Sequence, residues 1–150
     1  MARLYEYQSK RLLKGAGIPV PRGGVARSPE EALRIAEEIG GPVVIKIQVW
    51  VTGRAGLGGI QFADSPGEAA DKARELLGMK VKSYVIDSLL VEEKLDISSE
   101  FFAGIVIDDA AKAPVLIFSP VGGTGIEEIA RAHPEKVVPV SYTHLRAHET

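Results

Sequence analysis

One lysine inside an apolar segment, with a glycine-rich loop directly behind it, constrains this chain more than any other feature. Residues 43–49 read as a strand covered on both faces, and Lys46 lies in its middle. A lysine is rarely buried unless an anion replaces the water that it loses. The loop carries Arg54 and four glycines, Gly53, Gly56, Gly58 and Gly59. Its backbone can point N–H groups at a ligand, and a guanidinium matches phosphate oxygens. The segment therefore favours polyphosphate binding, with ATP as the first candidate and Lys46 and Arg54 in one cleft.

The same segment also fits a surface ion pair beside an ordinary hairpin connection, and the residues leave both interpretations open. Known phosphate motifs do not separate them. Gly53 and Gly58 have P-loop spacing, but Gly59 and Ile60 stand where that motif needs lysine and then serine or threonine. Residues 60–63 resemble a strand and not a helix. The segment therefore predicts a strand–loop–strand element whose loop covers phosphates as a flexible lid.

The composition excludes several classes of function. The 150 residues include 18 basic and 20 acidic ones, so the net charge of −2 gives no electrostatic case for nucleic acid. The absence of cysteine excludes disulfides, thiolate zinc sites and cysteine nucleophiles, and it fits a reducing cytoplasm. No apolar run approaches the length of a membrane span. We therefore expect a cytoplasmic protein without nucleic-acid or membrane partners.

Two similar helix starts organise the part of the chain between residues 23 and 94. Each places a serine before a proline at the first helical turn: Ser28 before Pro29, and Asp64 or Ser65 before Pro66. With the short strands around them, these helices predict a β-α-β-β-α-β run. Such a run is a small α+β sandwich with its helices on one face.

Further elements are predicted on both sides of this run. A helix over residues 5–14 precedes it. Strands over 101–107 and 115–119 form a hairpin that begins a second structural unit. A glycine turn at 122–125 then leads into a helix at 126–131. Residues 137–140 indicate a last strand, which Pro139 restricts to a sheet edge.

Several motifs, taken in order, resemble the β subunit of succinyl-CoA synthetase. They are Glu6-Tyr7-Gln8 with Lys10, the Lys46 strand, the Gly53-Arg54 loop, Leu90-Val91-Glu92, Glu100, and Gly122-Gly123 with Ile126-Glu127. The resemblance runs from about residue 3 to about residue 140 and implies an ATP-grasp fold of the succinyl-CoA synthetase type. It implies an N-terminal helix and extended segment over 1–20, a complete first subdomain over 21–102, and a partial second subdomain over 103–140.

The resemblance implies a set of cofactor-binding residues and no catalytic or metal-binding residue. Lys46 would contact ATP phosphates, and Glu92 would lie at the hinge that holds the adenine. Glu100 would bind the nucleotide, at the ribose hydroxyls. The remaining members of the set are Gly53, Arg54 and Ala55 in the loop and Leu95 after Glu92. From the residues alone, Glu92 beside Glu93 at a strand end reads more simply as a solvated acid.

The function implied by the resemblance is that of an ATP-dependent carboxylate–CoA ligase. ATP with Mg²⁺ would phosphorylate a histidine of a partner α subunit, and succinate or a similar carboxylate would then be joined to CoA. The family's Asn and Asp magnesium ligands would lie beyond residue 150. A family lysine is absent from the loop, where this chain has Ala55-Gly56-Leu57. The alternatives are a non-catalytic nucleotide-binding or assembly module, or an inactive gene fragment. The fragment alone is expected to be inactive.

The last ten residues, SYTHLRAHET, match nothing upstream and nothing in the resembled family. His144 and His148 are four residues apart, as a helical metal pair would be, but nothing else supports that interpretation. The few sizeable apolar side chains of these ten residues cannot offset the entropy of ordering the segment. We therefore interpret residues 141–150 as a non-native tail that joins a truncated gene.

Overall fold

The computed structural model describes residues 3–51, 53–109, 112–120 and 138–141. The chain divides into two compact units, an N-terminal unit, Met1–Asp96, and a C-terminal unit, Ile97–Thr150. Each unit is described by itself. The helices and strands are α1 (Glu6–Gly15), β1 (Gly23–Ala26), α2 (Pro29–Ile39), β2 (Val43–Ile47), β3 (Ile60–Ala63), α3 (Pro66–Leu76), β4 (Lys80–Val81), β5 (Tyr84–Val85), β6 (Leu89–Glu93), β7 (Phe102–Asp108), β8 (Ala113–Ser119) and β9 (Val138–Ser141).

A four-stranded sheet in the order β1-β6-β2-β3 forms the centre of the N-terminal unit, and each neighbouring pair is antiparallel. Alternate residues of a strand point to opposite faces. Ile45 and Val91 are opposite each other in the register and point to one face, where both are fully buried. Helices α2 and α3 cover that face and bury small side chains, Ala32, Ala36, Ala69 and Ala73. Alanines let the helices approach the sheet closely, so the main hydrophobic core lies between these two layers.

The two predicted serine–proline helix starts are confirmed. The Ser28 hydroxyl oxygen accepts a hydrogen bond from the Glu31 N–H at 3.2 Å, and Ser65 accepts one from Glu68 at the same distance. Each proline lies in the first turn, where its missing N–H costs nothing. Helix α2 ends at Gly40, whose φ of 73° suits glycine.

The predicted β-α-β-β-α-β run is confirmed with one addition. A small hairpin, β4 and β5, lies between α3 and β6 and forms a separate two-stranded sheet. Its strands have two residues each, which is too short for the alternation that identifies a strand in sequence. The other element boundaries differ from expectation by one or two residues, as helix and strand ends commonly do.

The described part of the C-terminal unit is a three-stranded antiparallel sheet in the order β7-β8-β9. The predicted hairpin and the strand around Pro139 are confirmed, and β9 pairs with β8 at an edge of this sheet. Ser141, the first residue of the predicted tail, is the last residue of β9 and pairs with Val115 of β8. The predicted turn at 122–125, the helix at 126–131 and the tail residues 142–150 lie outside the described residues.

Candidate functional site

The sheet face opposite α2 and α3 carries buried charge in place of a hydrocarbon core. Lys46 on β2 is paired in register with Leu90, and Glu92 on β6 with Val44, so Lys46 and Glu92 are diagonal neighbours on one face. The Lys46 Nζ lies 3.0 Å from the Glu92 Oε2. Glu92 is only 2% exposed, so its interpretation as a solvated strand-end acid is wrong.

Helix α1 supplies two further charges to this face. Glu6 and Lys10 are one helical turn apart and therefore point the same way. The Lys10 Nζ lies 2.6 Å from both carboxylate oxygens of Glu92, and the Glu6 Oε1 lies 3.1 Å from the Lys46 Nζ. Helix α1 is thus linked to β2 by the Glu6–Lys46 ion pair and to β6 by the Lys10–Glu92 ion pair.

The start of α1 is held by polar and aromatic contacts. The Tyr7 N–H donates to the Gln48 Oε1 at 3.3 Å, and the buried Gln48 side chain also donates to the carbonyls of Lys46 and Ile47. The Tyr5 ring stacks on Trp50, with centroids 4.6 Å apart and planes 2° apart. These contacts fix Glu6 and Lys10 relative to the end of β2.

The glycine-rich loop forms an ordered turn that brings Arg54 to the same place. The Gly59 N–H donates to the Arg54 carbonyl and the Gly58 N–H to the Ala55 carbonyl, at 2.9 and 3.1 Å. Gly58 has a φ of 71°, so the turn has the Schellman form. The Arg54 guanidinium then donates to the Glu6 Oε2 at 2.7 Å and to the Ile47 carbonyl at 3.0 Å.

These five side chains form what we call the charged cluster: Glu6, Lys10, Lys46, Arg54 and Glu92. It contains two carboxylates and three cations. Burial opposes ionisation of Glu6, but the Lys46 charge and the hydrogen bonds from Arg54 and Lys46 outweigh it and lower the pKa of Glu6 to about 2. Burial likewise opposes the charge of Lys46, yet the Glu6 and Glu92 carboxylates raise its pKa above the usual value. Glu6 and Lys46 are therefore both charged at neutral pH.

A cavity of about 250 Å³ adjoins the charged cluster within the N-terminal unit. Its lining includes Lys10 and Glu92 together with Arg22, Gly23 and Gly24. A Cβ at Gly23 would overlap the Val91 carbonyl, so only glycine lets β1 approach β6 this closely. The cavity is smaller than the range of about 300–1,000 Å³ for pockets that take a whole ligand. It suits one part of a ligand that extends out of it.

The structure brings together three of the seven residues that the sequence nominated: Lys46, Arg54 and Glu92. Gly53 and Ala55 are exposed in the same turn. Leu95 follows β6 and is 51% exposed. Glu100 is exposed and belongs to the C-terminal unit.

Sequence reasoning did not assign Glu6 and Lys10 to the site, although both belong to the N-terminal motif. Their i, i+4 spacing reads as an ordinary helix-surface ion pair. Only the fold shows that they meet Lys46 and Glu92.

A magnesium ion needs several oxygen ligands close together. Within residues 3–51, 53–109, 112–120 and 138–141, no group of three or more acidic or histidine side chains lies close enough to hold a metal. Both carboxylates of the charged cluster contact cations. This part of the chain therefore does not fit a Mg²⁺ site by itself.

The antiparallel sheet, with helices on one face and charged side chains on the other, defines an α+β protein, and the comparisons identify the family. Residues 3–147 match the family model described as ATP-grasp domain. The chain therefore belongs to the ATP-grasp family, as its sequence motifs indicated. It is 50% identical over 134 residues to the succinate–CoA ligase [GDP-forming] subunit beta of Thermus thermophilus, and this covers 89% of the chain and 35% of that protein.

Two further relatives agree. The succinate–CoA ligase [ADP-forming] subunit beta 2 of Archaeoglobus fulgidus is 46% identical over 139 residues, which covers 93% of this chain and 37% of that protein. Among solved structures, dinucleotide forming acetyl-coenzyme A synthetase 1 of Ca. Korarchaeum cryptofilum, in complex with coenzyme A and Ca-AMPCP, superposes with a TM-score of 0.75 and 29% identity. That match covers 91% of this chain and 59% of the other. The chain thus spans 35–37% of the length of these curated relatives.

None of the described helices is long and apolar enough to cross a membrane.

Proposed function

We propose that this chain is the nucleotide-binding part of an ATP-dependent acyl-CoA synthetase β subunit and that it holds the polyphosphate of ATP. The observation that carries the proposal is the convergence of Lys46 and Arg54 on one carboxylate beside the glycine turn. Two cations and a glycine backbone in one place are the features that phosphate oxygens need. The family membership supports ATP as the ligand.

The two cations keep donors for a phosphate while they contact the protein. An ammonium has three N–H donors and a guanidinium has five. Lys46 directs two of its donors to Glu6 and Glu92, and Arg54 directs two of its donors to Glu6 and Ile47. Among the contacts of the described residues, one donor of Lys46 and three of Arg54 remain. Both side chains are more than one-fifth exposed, so a phosphate can reach them from solvent.

The base of the nucleotide extends from the phosphates towards the cavity beside Glu92. The volume of this cavity suits one part of a nucleotide, and the glycine backbone of β1 gives it a flat wall. Leu95, which follows β6, contacts the base. Glu100 accepts hydrogen bonds from the ribose hydroxyls, a role that suits a carboxylate because it accepts two at once. Gly53 and Ala55 lie against the phosphates.

In the intact enzyme, this part positions ATP for phosphorylation of a histidine on a partner α subunit. Succinate or a similar carboxylate and CoA are the further substrates, as the names of the curated relatives suggest. Mg²⁺ neutralises phosphate charge and is held by residues outside the described part of this chain. The protein's contribution to phosphoryl transfer is then electrostatic positioning. We place the enzyme in the cytoplasm.

The second candidate is a non-catalytic nucleotide-binding module. The observation that favours it concerns the described residues: no group of three or more acidic or histidine side chains among them could hold a metal, and both carboxylates of the charged cluster contact cations. An assay with ATP, Mg²⁺, succinate and CoA separates the two: the enzyme proposal expects no acyl-CoA from the 150-residue chain alone and product when it is extended to the relatives' length and joined to an α subunit. A module remains inactive in both forms.

Nucleotide binding itself is tested by titrating the 150-residue chain with ATP while amide resonances are recorded. We expect saturable shifts at Gly53, Gly58 and Gly59, because the phosphates lie against this turn. Gly40 and Gly78 end helices elsewhere in the fold and serve as internal controls. Shifts that are equal at both groups of glycines, or no shifts at millimolar ATP, would contradict the proposal.

A further inference from the structure

Glu6 contacts every cation of the charged cluster. Its carboxylate lies 3.1 Å from Lys10, 3.1 Å from Lys46 and 2.7 Å from Arg54. Glu92 contacts only the two lysines among the described ion pairs. Glu6 is thus the group that connects the strand cation, Lys46, to the loop cation, Arg54.

We propose that Glu6 is a positioning residue, which holds Lys46 and Arg54 side by side so that one phosphate can contact both. This inference rests on the proposed nucleotide function of the site. Glu6 itself would not touch the phosphate. Each of its carboxylate oxygens contacts one of the two cations: Oε1 accepts a hydrogen bond from Lys46, and Oε2 accepts one from Arg54.

Two cations that meet at one place are stabilised by an anion between them, and here both contact the Glu6 carboxylate. Like charges disfavour each other's approach, and long flexible side chains lose rotamer entropy when they are fixed. The Glu6 carboxylate removes much of the repulsion and fixes both geometries before a ligand arrives. Preorganised donors lower the cost of binding, because the ordering has already occurred.

Glu6 is anchored too firmly to act instead as a competitor that leaves when phosphate binds. It makes three ion pairs, and its helix is held by the Tyr7–Gln48 hydrogen bond and the Tyr5–Trp50 stack. Lys46 and Arg54 also retain donors while they contact Glu6. A phosphate can therefore be added to the existing contacts without displacing the carboxylate.

The direction in which one substitution changes the affinity for phosphate separates positioning from general electrostatics. Glu6→Gln makes the chain one unit more positive, so electrostatics alone predicts tighter binding of inorganic tripolyphosphate. Positioning predicts weaker binding, by about tenfold in Kd if one charge-assisted contact is lost. The matched control is Asp71→Asn, which makes the same charge change in an exposed ion pair with Arg74 on α3. We expect the control to bind tripolyphosphate as the parent does.

Two further variants make the test independent of folding defects. Glu6→Asp keeps the charge but is one methylene shorter, so it should restore part of the affinity that Glu6→Gln loses. In an Arg54→Ala background, the effect of Glu6→Gln should shrink to a fraction of its size, since Glu6 acts through Arg54. Melting curves identify any variant that does not fold, and Glu6→Asp then carries the comparison.

The outcomes are distinguishable. Weaker binding by Glu6→Gln, partial rescue by Glu6→Asp and coupling to Arg54 support positioning. Equal or tighter binding by a folded Glu6→Gln protein, while the parent binds tripolyphosphate, overturns it and makes Glu6 a competitor or a bystander. If the parent itself does not bind tripolyphosphate at millimolar concentration, the proposed function of the site fails, and the positioning role fails with it.

Discussion

The two faces of the β1-β6-β2-β3 sheet are built on different principles. The face under α2 and α3 is apolar, close-packed and assembled from alternating strand residues such as Ile45 and Val91. The opposite face carries Lys46 and Glu92 and is covered at its charged end by α1. The two faces of one sheet therefore differ in role: one packs the hydrophobic core, and the other carries the charges that we propose bind the nucleotide.

The largest expected effect on stability comes from the apolar face. Ile45→Ala removes a fully buried side chain and should lower the free energy of unfolding by about 3 kcal/mol, within the range for such deletions. Denaturant titration measures it. The matched control is Phe62→Ala on the charged face, whose ring is 54% exposed and should cost less than about 1 kcal/mol. Equal losses would mean that the two faces do not differ in this way.

The next largest loss of stability is expected from a substitution in the glycine-rich turn. A Cβ at Gly59 would overlap the Ile47 side chain and lie 3.1 Å from the Arg54 carbonyl, whereas one at Gly56 would meet only the Gly53 carbonyl at 3.6 Å. Gly59→Ala should therefore destabilise by about 1–3 kcal/mol, the usual range for overpacking. It should also weaken tripolyphosphate binding, because the turn positions Arg54. If Gly56→Ala has the same two effects, close packing at Gly59 is not their cause.

The contribution of the charged face to stability should be lost at acid pH. The pKa of Glu6 is lowered from 4.5 to about 2, so its contribution to stability is present above pH 4.5 and is lost as the pH falls towards 2. The shift corresponds to an upper bound of about 3 kcal/mol, and screening at a side chain that is 21% exposed reduces the expected value to roughly 1–2 kcal/mol. Unfolding measured between pH 5 and pH 2 should have a steeper pH dependence in the parent than in Glu6→Gln. Parallel curves would contradict the charged contacts of Glu6.

The smallest effect is expected at a solvent-exposed ion pair on α3. Asp71 and Arg74 are 70% and 62% exposed, so Asp71→Asn should change the free energy of unfolding by less than about 0.5 kcal/mol. Thermal melts at two salt concentrations check this. A larger loss would show that surface charge contributes to this fold more than the comparison allows.

The apolar face could be predicted from sequence because its signals are local. The serine caps at Ser28 and Ser65 and the apolar run of β2 each lie within a few residues. The β4–β5 hairpin escaped prediction because two-residue strands carry no periodicity.

The charged face was predicted only in part. Lys46 and Arg54 were found together because one segment contains both. Glu6 was not, since it meets them across 40 and 48 residues of chain, a distance that no local pattern spans. The burial of Glu92 was missed for the same reason, because it depends on a helix 82 residues away.

The most direct test of the account is ATP affinity after Lys46→Ala, with Lys72→Ala as the matched control. Lys72 lies on α3, where it pairs with Glu75 at 3.7 Å. We expect Lys46→Ala to remain folded and to bind ATP about tenfold or more weakly, as the loss of a charge-assisted contact predicts. Lys72→Ala should bind as the parent does. Equal ATP affinity in both variants, or a large fall in melting temperature for Lys46→Ala with no specific loss of binding, would contradict the claim that this sheet face binds the nucleotide.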